Sequence, residues 1–470
     1  MGFLSNNAIT IIFYLVVFFI IYRNRKKFEV QSKIFFLYKT KIGLKFMEKM
    51  AQPLSKKLDN FGGILFNSSG LLVMVTTVFL IINRFNEAFL ASIIRNILFL
   101  FAISFIIFLI AVIGFKQFKK AGAMGIYVGF AGMIIITGFI FQGIYNLVFK
   151  PSAPAVLSPI IPGISIPGSP IDVPLFYGII ALFVVIVIHE FSHGLICRVH
   201  KLKVKSSGVG IMAILPLAFV EPDEDELKKA DWKVQNSMFA AGPFSNILTA
   251  IFVLLLMSFV FVPLTFSLTE PVDNGVMVFA VEGEPAYDSN IGTQGMMILK
   301  LDVLSRYAVA DKNSNIGSDG GRLITSVNGV ETLTVEDFIT AFDGLEPGKE
   351  LILSNAEESF SIIPRDNDGR AYVGVNIAYL QLKEGSSKLL FQFMVIVLEL
   401  FIWIYALSFG LGLANLLPLG PVDGGRMLHS TLDKGVGKKR ALIVFSRITA
   451  FFLISIVVLI LVPIFKEVVF

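Results

Sequence analysis

Residues 183–194 read Phe183–Val184–Val185–Ile186–Val187–Ile188–His189–Glu190–Phe191–Ser192–His193–Gly194. An apolar run that starts near residue 174 thus ends in two histidines and a glutamate. A helix rising 1.5 Å per residue crosses a hydrocarbon core of about 30 Å with roughly 20 apolar residues, so this stretch predicts a membrane span. Working outward, comparable runs lie at 7–22, 61–82, 93–115, 122–148, 238–263, 388–417 and 441–465, which makes about eight predicted transmembrane helices in 470 residues. They are too many and too long for a signal peptide. With 55% hydrophobic and 16% charged residues and a mean hydropathy of +0.76, the composition is that of a polytopic α-helical membrane protein, with the lipid bilayer as its solvent.

The formal net charge of +5 does not point to nucleic acid, because Lys and Arg sit mostly in short loops between spans, where they report orientation. The strongly basic stretch Arg23 to Lys57 predicts a cytoplasmic loop and therefore an outside N-terminus. Alternation then places Lys116, Lys119 and Lys120 inside, the segment Pro151 to Pro170 outside, and Arg198, Lys201, Lys203 and Lys205 inside. Lys434, Lys438, Lys439 and Arg440 also fall inside, which leaves about 265–385 and the C-terminus outside. The one cysteine, Cys197, excludes a disulfide framework and a Cys-rich zinc module, so a metal must rely on His, Asp and Glu.

Residues four apart on a helix share a face, with Cβ atoms about 5–6 Å apart, so His189 and His193 can both reach one zinc ion. In this HExxH pattern the glutamate beside the first histidine, Glu190, is a general base that takes a proton from water acidified by the metal. Two histidines and a glutamate are costly to bury at membrane depth, which favours function over simple packing. Catalytic zinc takes three protein ligands and leaves one position open. The stretch Asn415–Leu416–Leu417–Pro418–Leu419–Gly420–Pro421–Val422–Asp423–Gly424–Gly425, near the cytoplasmic end of the seventh run, offers Asp423 as the third. A Pro- and Gly-broken backbone is tolerated there only around a buried or watered cavity. By spacing alone, Asp423 serves equally as a turn residue at the membrane surface.

HExxH in one transmembrane helix followed by NxxPxxxxDG in a later one resembles the paired signature of the site-2 proteases. The resemblance covers about 170–440, and both elements match without a gap. It implies an intramembrane metalloprotease with one zinc ion on His189, His193 and Asp423 and with Glu190 as the catalytic glutamate. It implies hydrolysis of peptide bonds within or next to transmembrane segments of membrane-protein substrates, as a step of regulated intramembrane proteolysis. The active site would lie toward the cytoplasmic side of the cell membrane. Ala241–Gly242–Pro243–Phe244–Ser245–Asn246 resembles a further family element, whose asparagine assists at the reacting carbonyl and corresponds here to Asn246. Asn415, an amide near the metal, could donate to a developing oxyanion or equally form a helix–helix hydrogen bond. The family carries a membrane-dipping β-hairpin at the apolar, Pro-broken loop Gly208 to Pro222, whose edge could take up an unwound substrate by strand addition. Cys197 reads as a packed thiol, and His200 and His429 as loop residues outside the ligand set.

Four regions follow. Residues 1–150 form an N-terminal four-helix transmembrane region that packs against the core or gates entry. Residues 170–265 are the first catalytic part, 275–378 a soluble α+β domain, and 386–470 the second catalytic part. In the soluble domain, Gly321–Arg322–Leu323–Ile324–Thr325–Ser326–Val327–Asn328–Gly329–Val330 predicts a strand entering an Asn-Gly turn, and Thr334–Val335–Glu336–Asp337–Phe338 a capped helix. That order resembles a PDZ domain, here extracytoplasmic, which would exclude bulky ectodomains or bind a new C-terminal carboxylate. A surface zincin would carry its motif in the soluble domain, and a structural zinc site in a transporter would have no need of Glu190.

Overall fold

The computed structural model describes residues 8–24, 29–31, 35–41, 43–82, 91–150, 157–166, 169, 171–212, 215–272, 275–280, 286, 296–300, 306–310, 322–342, 344–367 and 370–469. Arg25, Lys26 and Lys27 of the basic stretch, Pro151 and Pro170, and Gly321 lie outside them.

In chain order, helix α1 (Ala8–Asn24) is followed by strands β1 (Glu29–Gln31) and β2 (Phe35–Thr40) and helices α2 (Leu44–Ala51), α3 (Lys56–Ile82) and α4 (Ala91–Leu109), the last continued by a π-helical turn. Then come α5 (Phe118–Phe149), α6 (Leu175–Val199), β3 (Val204–Met212), β4 (Leu215–Pro222), α7 (Glu224–Lys229), α8 (Trp232–Leu256) and α9 (Val262–Ser267). Strands β5 to β16 lie between Thr269 and Leu382, with α10 (Val335–Thr340) among them. The chain ends in α11 (Lys388–Ala414), α12 (Asp423–Val436) and α13 (Lys438–Val469). Met1–Val253 with Trp403–Phe470 form one compact unit, and Leu254–Ile402 a second.

Seven of the described helices are long and apolar enough to cross a membrane, where the sequence predicts about eight. The run at 7–22 forms α1, whose 17 residues rise only about 26 Å. Among the described residues its apolar stretch is Thr10–Phe19, shorter than the other seven. Tyr14 on this helix donates to the Pro162 carbonyl at 2.8 Å, tying α1 to the segment that precedes α6.

The basic stretch expected as a plain loop contributes two strands and a helix to the first unit. Its sheet has the order β1-β2-β3-β4, all antiparallel, with Leu37 opposite Gly210 and Gly210 opposite Leu217. Met47 of α2 is buried against Gly194 on α6, and the Phe46 and Phe191 rings stand 5.6 Å apart. Helix α5 packs through small residues on one face against α6, α8 and the turn that follows α11. Gly122 faces Ile196 and Ser237, Gly125 faces Phe244, and Gly132 lies so close to Leu416 that a β-carbon there would overlap it. Close backbone approach of this kind is how helices associate in lipid, where hydrophobic burial gives no drive.

In the second unit, β5 (Thr269–Pro271), β6 (Val276–Ala280), β7 (Met296–Lys300), β8 (Arg306–Ala310), β9 (Arg322–Ile324) and β16 (Val375–Leu382) form a six-stranded sheet. A second sheet has the order β11-β10-β12-β13, with β10 at Ser326–Val327, β11 at Val330–Glu331, β12 at Leu351–Ser354 and β13 at Ser359–Ile362. Val327 pairs with Val330 across Asn328 and Gly329, both at positive φ (50° and 77°), which is the two-residue hairpin that Asn-Gly favours. Thr334 and Asp337 close a capping box at the start of α10. Alternation sets the core: Leu351 and Leu353 are fully buried beside Val327, Phe338 and Ile362, while Ile352 between them is exposed.

Candidate metal centre

Helix α6 presents His189 and His193 one turn apart, both buried. Their Nε2 atoms lie 3.1 Å apart, and Asp423 Oδ2 lies 3.1 Å from the first and 3.3 Å from the second. Ligand atoms around a tetrahedral zinc with bonds of 2.0–2.1 Å stand about 3.3 Å apart, so the three donors are spaced as one small ion requires. They are the group of His, Cys, Asp and Glu side chains that could hold a metal among the described residues.

The outer atoms of both rings are fixed. His193 Nδ1 meets the Met238 carbonyl at 2.7 Å. A carbonyl only accepts, so that nitrogen carries the proton and the Nε2 lone pair faces Asp423. His189 Nδ1 lies 3.1 Å from the Asn246 amide, whose buried Oδ1 finds no partner when the nitrogen is placed toward the ring. Exchanging the two amide atoms lets Oδ1 accept from Nδ1–H, which frees Nε2 for a metal and turns the amide NH2 to the side where no partner stands among the described residues. Asn246 thus stands behind His189 rather than at its metal-facing nitrogen.

Helix α8 runs so close to the two rings that a β-carbon on Gly242 would sit 2.5 Å from each Nε2. Glycine is required there, and Pro243 after it lacks the N–H that would bond back within the helix, which loosens this turn. Asp423 opens α12, which starts after a tight reversal in which Gly424 N donates to Asn415 O at 2.7 Å. Gly424 and Gly425 pack directly on the carbonyls of Leu416 and Leu419, where no side chain fits. Burial alone would raise the Asp423 carboxyl, but in the metal-free site the His193 and His189 imidazoles, when protonated, outweigh it and hold the group below the usual carboxylate range. The N-terminus of α12 favours the same ionised state.

Glu190 Oε2 accepts a hydrogen bond of 3.1 Å from the Val220 N–H on β4. It lines two spaces at once. One is a cavity of about 330 Å³ shared with His189, His193, Asp423, Asn415 and Cys197. The other is a groove of about 1120 Å³ between β4 and the Trp403–Asn415 part of the chain, which runs past Leu182 and Ile186 of α6. Cys197 is fully buried at the wall of the smaller cavity, and His429 lies apart, 3.8 Å from Asp433.

The sequence reading did not pick out Gly242, the Met238 carbonyl, the Val220 N–H or Arg426. Arg426 lines both spaces, 2.7 Å from Glu224 and over the Phe239 ring. Its position one turn after Asp423 was a usable signal; the two backbone groups carry none.

Residues 177–459, more than half of the chain, match the family model of peptidase family M50. The chain is also similar to an uncharacterized protein of Methanocaldococcus jannaschii, with 31% identity over 255 residues, which are 54% of this chain and 56% of that protein. It therefore spans about half the length of the curated relative it matches.

Proposed function

The chain belongs to peptidase family M50, the site-2 protease family of membrane metalloproteases, and on that premise we propose that it is an intramembrane zinc endopeptidase. Its site would consist of His189, His193 and Asp423 as metal ligands and Glu190 as general base. The observation that carries this reading is the convergence of three donors at 3.1–3.3 Å, two buried imidazoles and the half-buried Asp423 carboxylate, beside a glutamate on a helix long and apolar enough to span a membrane. Two imidazoles and a carboxylate suit zinc, which in such a site polarises the scissile carbonyl and lowers the pKa of water. Glu190 takes a proton from the attacking water and returns it to the leaving amine. Asn246 and the Met238 carbonyl hold the two imidazoles in orientation. Asn415, which lines the cavity, would donate to the developing oxyanion.

The substrate would be a transmembrane segment of a membrane protein, unwound to an extended form in the groove beside β4. Strand addition replaces the helical hydrogen bonds that unwinding breaks. The soluble part of the second unit is read as a PDZ-like filter on the extracytoplasmic side, with the metal toward the cytoplasm, and cleavage as a step of regulated intramembrane proteolysis. The test is metal analysis of the purified full chain together with cleavage of a transmembrane peptide. One zinc per chain, and activity lost to a chelator and restored by zinc, are expected. A metal-free protein that still cleaves the peptide would overturn the reading.

A further inference from the structure

A separate cavity of about 620 Å³ lies between α4 with its π-helical turn, α5, α6 and α8. On α6 it is lined by Ile188, Ser192 and Leu195, which at 3.6 residues per turn stand on a different face from His189 and His193. Its wall is chemically a hydrocarbon surface. The three hydroxyls on it are turned back to their own helices: Ser192 donates to the Ile188 carbonyl, Ser245 to Gly242 and Thr249 to Ser245, each at 2.8 Å. An extended peptide would leave its backbone groups unpaired there, and water would find too few partners. Ile106, Ile110 and Ile113 on its border are exposed, so the cavity opens sideways onto the apolar surface of α4. Its length matches one leaflet: from Ala241 to Phe252, both lining residues, α8 rises about 16 Å, against about 15 Å for half of a hydrocarbon core.

The end of the cavity formed by Met50, Gly114 and Phe118 adjoins positive charge. Lys116, at a positive φ of 53°, reaches the end of α2, where its Nζ donates to the carbonyls of Lys49 at 3.0 Å and Gln52 at 3.1 Å. An ammonium has three donors, so one remains. Lys49 and Lys119, the sequence neighbours of Met50 and Phe118, are exposed. Against these three stand Glu48 on α2 and Asp59, the latter engaged by Gln117 Nε2 at 2.8 Å, which leaves the rim net positive. We propose that the cavity binds one acyl chain of an anionic phospholipid whose phosphate lies against Lys49, Lys116 and Lys119. The π-helical turn Ile110–Gly114 shapes one wall, and such turns are frequent at functional sites. A chain in place packs on Ile188 and Ser192, each one residue before a metal-binding histidine, and on Ala241, next to Gly242. The lipid thus backs the two helices that set the metal centre. The inference rests on the membrane character of the chain and not on the proposed chemistry.

The test titrates the delipidated full chain, in a mild detergent, with phosphatidylglycerol or phosphatidylcholine carrying the same photoactivatable acyl chain, and maps the labelled residues by mass spectrometry. Phosphatidylglycerol should label saturably, one lipid per chain, at the π-helical turn and along α8 between Ala241 and Phe252. Phosphatidylcholine should need at least about a fivefold higher concentration, the contribution of one lysine near an anionic lipid. Lys49→Gln combined with Lys119→Gln should weaken phosphatidylglycerol binding about 25-fold, two such contributions, and leave phosphatidylcholine unchanged. Thr249→Trp fills the cavity without altering the lysines and should weaken both lipids at least about tenfold; Leu109→Trp, from the opposite wall, repeats the measurement, and thermal unfolding identifies the variants that fold. Equal binding of the two lipids, labelling spread evenly over the spanning helices, or folded cavity-filled variants that bind as wild type would overturn the proposal. So would displacement of the lipid by inorganic phosphate alone, which marks a headgroup site without the cavity, or by a transmembrane peptide that crosslinks to the same residues.

Discussion

Replacing Gly242 by alanine adds one methyl group at the point where α8 passes the two imidazoles. Its carbon would lie 2.5 Å from His189 Nε2, 2.5 Å from His193 Nε2 and 2.6 Å from His189 Cε1. Ordinary contact begins near 3.4 Å, so the rings or the helix must retreat by about 0.9 Å, several times the tolerance of about 0.2 Å on metal–ligand distances. Loss of orientation at the outer atoms of a ligand alone costs about 10–100-fold in metal affinity, and here both ligand atoms are displaced directly. A fall of at least about 100-fold in zinc affinity is expected. Stability should change far less: overpacking costs about 1–3 kcal/mol, and alanine in a helix returns up to about 1 kcal/mol over glycine. Zinc titration against a competing chelator, paired with thermal unfolding of the metal-free protein, separates the two effects. A Gly242→Ala protein that binds zinc within about threefold of wild type would refute this placement of the metal.

Asp423→Ala should lower zinc occupancy while Asp433→Ala, ten residues further along α12 and beside His429, leaves it unchanged; equal zinc content in both would return Asp423 to the role of a turn residue. With Cys197 replaced, a cysteine probe at the exposed position Glu357 should be labelled from outside the cell and one at Asp225 only after permeabilisation, and the reverse pattern would invert the orientation drawn from loop charges. Joining Leu264 to Lys388 through a flexible linker removes the soluble part of the second unit but none of His189, Glu190, His193 or Asp423. Zinc binding and cleavage of a short transmembrane peptide should persist while discrimination against intact ectodomains is lost; a folded, zinc-bound variant that cleaves neither would show that the domain is needed to assemble the site.

The parts of the fold legible in the sequence are those set by local periodicity. Helix α6, with His189 and His193 on one face, follows from the four-residue spacing and the apolar run before it, and the hairpin at Asn328–Gly329 follows from the φ > 0 demand of its turn. Strand β2 was not legible, because Phe35–Thr40 lies among basic residues and becomes a strand only by pairing with β3, some 170 residues away. Seven of the eight expected spans are long and apolar enough among the described residues, and the first, at 7–22, coincides with α1. At the site, side-chain donors announce themselves by type and spacing. The Met238 carbonyl, the Val220 N–H and the space above Gly242 are properties of the backbone in three dimensions; any residue could supply the first and any but proline the second.

The most direct test of the central claim is the turnover of Glu190→Gln on a transmembrane peptide, measured with its zinc content. The amide keeps the shape of the side chain and can still accept the Val220 hydrogen bond, but it cannot take a proton from water. The account predicts one zinc per chain, as in wild type, and no detectable cleavage. Cleavage near the wild-type rate by the zinc-loaded variant would contradict it.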